Sequence, residues 1–364
     1  GFWHRMALVV MRRPVVVAAS AIAVLLFLGA PFLRLNLSLP DDRVLPEHAA
    51  SRKVSDVLRT EFPSGEAGAS SVVAQRIGDP ATRVPEIDAY AAVLAKLPGV
   101  ARVDAVTGTY CGEGLAELGC TPGQLVLPGG EGRYLGFTST KAGGSTYLSV
   151  VPDVEPLSAA GEDLVDAIRS AEAPFPTEVT GMSAQLVDTK AALFSRLPIA
   201  AAIIALVTFL VLFIQFGSVV IPLKAVVLNL LSLSATFGAM VWIFQEGHLS
   251  DTLNFTAIGS IDATTPILMF CVAFGLSMDY EVFLLSRIKE EYDRTGDNEL
   301  SVARGLERTG RIVTAAALLI AVVFIAFATS NVTFIKLFGI GLTLAVLMDA
   351  FVIHPYPDNS SQPP

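Results

Sequence analysis

Charge is what this chain has least of. Asp, Glu, Lys and Arg together make up 16% of its 364 residues, against about 25% in a soluble globular protein. The few charges are unbalanced, 25 basic against 34 acidic, for a net charge of −9. No basic face of any length appears, which excludes a nucleic-acid partner. Histidines number four and cysteines three. Neither a second Cys pair nor a His-x-x-x-His spacing is available to hold zinc, so no metal is expected. The polar part of the chain offers no His/Asp/Ser constellation and no phosphate-binding glycine loop. The chain is therefore read as neither an enzyme nor the holder of a cofactor.

What fills the sequence instead is apolar: 52% of residues, with a mean hydropathy of +0.59. Six runs are long enough, at ~1.5 Å per residue, to span a hydrocarbon core of about 30 Å. They are Pro14–Leu33, Pro198–Phe216, Ala225–Phe244, Pro266–Leu285, Ile312–Ala328 and Phe334–Ile353. The first lacks a small-residue cleavage site and so reads as a membrane helix rather than a signal peptide. Arg5, Arg12 and Arg13 precede it and place the N-terminus in the cytoplasm. Lys224 and the group Arg287, Lys289, Arg294, Arg304, Arg308 and Arg311 fall in loops on that same side. The loops 245–265 and 329–333 have no Lys or Arg and fall outside. Residues 1–33 are thus a cytoplasmic start and first span, 34–197 an extracytoplasmic domain, 198–353 a five-helix bundle and 354–364 a polar tail. The chain begins at Gly1 without an initiator Met and is expected to be a fragment of a longer polypeptide.

Inside the span Pro266–Leu285 sits one carboxylate, Asp279, followed by the phenol of Tyr280 and by Glu281. A charged acid at such depth costs about 2.5–3.5 kcal/mol on insertion scales, and no folding benefit is evident for it. Such a residue either has a partner or moves protons. Cys271, Gly275 and Ser286 share its helical stripe. Small residues let a second helix backbone approach, so the stripe is expected to face protein while Phe and Leu positions face lipid. Asp349, in the last span, is expected to be solvated by interfacial water and ranks below Asp279. Lys336 is expected to snorkel. Asn229, Ser232 and Thr236 share one face of their span and suit either helix packing or a hydrated path.

Between Arg34 and Leu197 prolines, glycines and charges return. Ser71–Ile77, Val100–Val106, Arg133–Thr138, Thr146–Val151 and Thr177–Thr180 read as strands, and Val84–Leu97, Leu157–Glu172 and Ser183–Phe194 as helices. That order predicts a two-layer α+β domain with split βαβ units. Cys111 and Cys120 bracket a short loop on the oxidising side; a disulfide is expected, with two free thiols as the alternative. The charged stretch Arg287–Arg311 reads as an amphipathic segment on the inner surface, turning at Gly296-Asp297-Asn298.

One span, a large α+β domain and five clustered spans resemble half of a transporter of the resistance-nodulation-division (RND) superfamily. The segments FGLSMDYEVFLLSRIKEEYDRTGDN and ARGLERTGRIVTAAAL resemble its MMPL (mycobacterial membrane protein large) branch, and the FGLSMDYE form resembles the second, C-terminal half. The resemblance is strong from Leu268 to Asp349 and looser over the domain, which it identifies as porter-like. It implies a multi-pass protein of the cell membrane that exports lipids or other hydrophobic molecules, driven by protons relayed through Asp279 and Tyr280. The partners it implies are that substrate, protons, and the missing other half or another copy of the chain. After Met348-Asp349-Ala350 the sequence FVIHPYPDNSSQPP departs from the family and looks truncated or frame-altered. A sterol-sensing-like regulatory module and a protein-export accessory are the alternatives; a sensor does not need the acid to titrate.

Overall fold

The structure, a computed structural model, describes residues 13–61, 65–130, 132 and 136–350. Arg5 and Arg12, the first half of the strand expected at 133–138, the end of the last span and the polar tail lie outside the described residues. The chain divides into two compact units, Gly1–Arg52 with Ser195–Pro364, and Lys53–Phe194. Each has its own core.

The second unit is a seven-stranded sheet. Its strands are β2 (Ser70–Gln75), β3 (Val100–Ala105), β4 (Gly108–Cys111), β5 (Leu125–Pro128), β6 (Thr138–Ser139), β7 (Ser145–Pro152) and β8 (Thr177–Thr180). The main path runs β5-β4-β3-β7-β2-β8, every pairing is antiparallel, and β6 pairs with β7. Because β7 lies between β2 and β3, the helix Val84–Leu94 connects two strands that are parallel but not adjacent. The helix Ala159–Ser170 joins β7 to β8 around β2 in the same way, so both crossovers are split βαβ units. Alternation makes the sheet two-faced: Val72, Ala74, Val103, Ala105, Leu148 and Val150 are buried against Ile87, Tyr90, Leu94, Leu164 and Ile168 of the two helices. Ser158 caps the second helix by accepting from the Gly161 N–H at 3.3 Å.

β4 and β5 extend the sheet beyond the expected strands, and a disulfide joins Cys111 of β4 to Cys120. Tyr110 is fully buried in β4. Its hydroxyl donates to the Asp88 carboxylate and lies 2.5 Å from Thr107 Oγ1. Burial first, and the Asp88 carboxylate second, push the phenol well above its ordinary value.

The first unit holds α1 (Pro14–Gly29), α6 (Val220–Met240), α7 (Thr264–Thr295), α8 (Asn298–Phe327), α9 (Thr333–Met348) and the membrane part of α5 (Met182–Phe216), where α2 (Ala50–Glu61), α3 (Val84–Leu94) and α4 (Ala159–Ser170) precede in chain order. Among the described residues, five helical stretches are long and apolar enough to cross a membrane: Val15–Arg34, Met182–Phe216, Val220–Gln245, Thr264–Thr295 and Leu300–Phe327. The described part of α9 has 16 residues, about 24 Å, and is shorter than these. Helix α6 packs against α1, α7 and α9, and α8 packs against α7 and α9. Small residues set these distances. A Cβ at Gly238 of α6 would lie 2.0 Å from the Leu28 carbonyl oxygen of α1, and one at Gly339 of α9 would lie 2.6 Å from that of Phe324 on α8. The segment 35–49 stays with this unit because Leu37–Ser38 (β1) pairs in parallel with Ile261–Asp262 (β9).

Three expectations change. The stretch Arg287–Arg311 is not a separate interfacial segment: α7 continues to Thr295 and α8 begins at Asn298. Gly296, at φ 67°, ends one helix and Asp297 caps the next, accepting from the Leu300 N–H at 3.1 Å. Glu291 is buried in this hairpin between Arg294 and Arg308. Lys336 does not snorkel. It is 4% exposed and donates to the carbonyl oxygens of Leu253 and, at 3.0 Å, Asn254. Finally, no break separates 183–194 from the next span, since α5 runs through Pro198 without interruption.

Candidate functional site

Helix α7 presents two faces. Thr265, Met269, Ala273, Ser277, Leu284 and Glu291 are buried, at steps of four and seven that keep one stripe turned into the bundle. Asp279 lies two positions beyond Ser277, about 200° around the helix. Cys271, Gly275 and Asp279 are all exposed in the isolated chain. A Cβ at Gly275 would meet nothing within 4 Å. Among the described residues, the small-residue stripe therefore does not face another helix, and Phe274 and Leu284, expected toward lipid, are buried instead. Ser286 is half-buried and donates to the Phe283 carbonyl oxygen. The packing inside the unit is set by Met269, Phe274 and their neighbours, which leaves the stripe outward.

On the buried side stands Asp349. The sequence suggested water would solvate it, yet it is 4% exposed, and Ser277 Oγ donates to its Oδ1 at 2.8 Å. The reason is helix packing: α9 lies against α6, α7 and α8 together, so its end is enclosed by protein. Tyr280 follows Asp279 directly on α7. Its ring packs on the cluster of Ala317, Val346 and Ala350, and its phenol is an electrostatic neighbour of both Asp349 and Asp279. The structure thus brings Tyr280 and Asp349 together with Ser277, and sets Asp279 on the adjoining outer face.

Asn229, Ser232 and Thr236 of α6 are all buried, at 2%, 4% and 1% exposure. Thr236 Oγ1 donates to the Ser232 carbonyl oxygen at 3.1 Å and approaches Met348 Sδ at 3.8 Å. This polar face lies toward the α9 end that carries Asp349.

Ser277 is the residue that sequence reasoning missed. Its signal was available: it is the one hydroxyl on the buried stripe of α7 at this depth, and a buried acid elsewhere in the bundle requires a donor. Chemically, this part of the bundle gathers a carboxylate held by a hydroxyl, a phenol, and a second carboxylate facing outward, three groups of types that can exchange protons.

A search against family models matches the MMPL family over residues 43–354. A membrane protein of Streptomyces coelicolor is 37% identical over 349 residues, covering 96% of this chain and 44% of that protein. Membrane protein YdfJ of Bacillus subtilis is 31% identical over 94% of this chain and 44% of its own length. The trehalose monomycolate exporter MmpL3 of Mycobacterium tuberculosis is 30% identical over 98% of this chain and 36% of its own. The chain therefore spans less than half the length of the relatives it matches. With its apolar helices and this match along most of its length, the chain is a multi-pass membrane protein and belongs to the MMPL family.

Proposed function

We propose that the chain is one half of a proton-driven MMPL transporter of the RND superfamily, exporting a lipid or another hydrophobic molecule across the cell membrane. Support for the substrate class comes from the relative named as an exporter of trehalose monomycolate. Support for half status comes from the 44% coverage of the longer relatives and from the outward stripe Cys271–Gly275–Asp279. In this reading α9 completes six spans, the N-terminus is cytoplasmic, and the sheet unit is the extracytoplasmic porter-like domain.

The observation that carries the proposal is that an outward acid, Asp279, and a buried one, Asp349, are both electrostatic neighbours of Tyr280. Asp279 takes a proton at the face shared with the complementary half. Tyr280 relays it, and Asp349, held by Ser277, receives it. Neutralising a carboxylate removes its desolvation cost, so the helices repack as protons come and go, and this motion passes to the porter-like domain. Each proton moving inward supplies about 2.3 kcal/mol per 100 mV.

The test is dye-reported proton flux in vesicles holding the chain alone or together with a complementary MMPL half. Flux is expected only with both halves. Full flux from the chain alone would remove the half-transporter reading, and no flux under either condition would remove proton coupling.

A further inference from the structure

Asn229 is a primary amide in the middle of a membrane helix, 2% exposed, and its Nδ2 is buried without a hydrogen-bond partner. Two donor hydrogens enclosed in a span with no acceptor are costly. A membrane helix packed only for fit would be better served by Leu at this position. Two further observations give the amide a context. Asn229, Ser232 and Thr236 lie on one buried face, separated along α6 by rises of about 4.5 and 6 Å. Thr236 in turn touches Met348, the residue before Asp349. Two hydrogen bonds to one water span roughly 5 Å, close to each of these steps.

We propose that Asn229 is the anchor of a buried water site. It starts a short file of waters that runs along Ser232 and Thr236 to Asp349. The ligand is water. Asn229 holds the first molecule by donating from Nδ2, and the hydroxyls of Ser232 and Thr236 carry the file to the acid. α6 and α9 run in opposite directions, with Met240 beside Gly341 and Thr236 beside Met348, and the file from Thr236 to Asn229 is shorter than two helical turns. The role of the file rests on the proton-driven reading above: it is the part of a proton route that leads from Asp349 toward the end of the bundle where α6 begins. The site itself does not depend on that reading.

Hydroxyl-radical footprinting of the full chain in vesicles tests it, because radicals formed from a bound internal water oxidise the nearest methionine. Met348 is the reporter and the buried Met269 the control. Met348 oxidation is expected to fall at least threefold in Asn229→Leu while Met269 is unchanged, and to be retained in Asn229→Thr, which keeps a polar group and guards against a Leu variant that misfolds. Equal Met348 oxidation in wild type and Asn229→Leu, or loss in Asn229→Thr as well, would overturn the site. Proton flux distinguishes the two proposals. Footprinting that behaves as expected with no flux removes only the proton reading, and intact flux with a footprint insensitive to Asn229→Leu removes only the water file.

Discussion

Ser277 Oγ donates to Asp349 Oδ1 at 2.8 Å, tying α7 to α9 across the buried face of the bundle. Removing the hydroxyl leaves the carboxylate oxygen without this donor. Ser277→Ala is expected to lower stability by about 1–3 kcal/mol, the usual cost of orphaning a buried polar group. Thermal unfolding in detergent reads this, and an unchanged midpoint would mean that Asp349 finds another donor.

Asp349→Asn separates the hydrogen bond from the charge, since the amide oxygen can still accept from Ser277. The variant is expected to be stable yet strongly impaired in proton flux, with a loss of tenfold or more. A near-normal rate would return Asp349 to the minor place that its position near a helix end suggests.

Lys336 places its ammonium on the carbonyl oxygens of Leu253 and Asn254, and Asn254 is held in the left-handed region at φ 52°. Hydrogen bonds to charged groups contribute about 1.5–3 kcal/mol. Lys336→Met is expected to raise amide exchange across residues 250–255 at least tenfold without disturbing α7. Unchanged exchange would show that the turn holds itself.

Tyr110 supplies a pH dependence outside the membrane. Its folded pKa is raised by burial and by Asp88, so the folded state favours the protonated phenol. The associated stability is fully present below the unfolded value of about 10 and is lost as pH rises above it toward the folded value. Exchange protection in Gly108–Cys111 is expected to fall between about pH 10 and 11 in the wild type and to fall less in Tyr110→Phe. Parallel curves for the two proteins would contradict this.

Much of this arrangement was legible in sequence because it rests on local patterns. Long apolar runs reveal membrane helices, and alternation revealed β2, β3 and β7. Asp279 stood out because an acid within an apolar run is conspicuous whatever surrounds it. The misses share a physical cause, which is that tertiary neighbours decide them. Asp349 lies at a helix end, where water is the default partner, and only the packing of α9 encloses it. The stripe Cys271–Gly275–Asp279 shows by composition that something can approach closely, but not whether that helix belongs to the same chain. β4 and β5 are short, and Gly108, Gly112 and Gly123 disguise them as loop. The charged hairpin reads as surface because its residues are polar, although Glu291 is buried between two arginines. The Asp297 cap was a local signal and was available.

The most direct measurement is proton flux in vesicles containing the chain and a complementary MMPL half, comparing wild type with Asp279→Asn and Tyr280→Phe at matched protein levels. Asp279→Asn keeps shape and hydrogen-bonding capacity and removes only titration, so assembly is expected to survive while flux falls to background. Tyr280→Phe is expected to slow flux several-fold without abolishing it. Wild-type flux in Asp279→Asn would contradict proton relay through this helix and leave the outward acid a structural one.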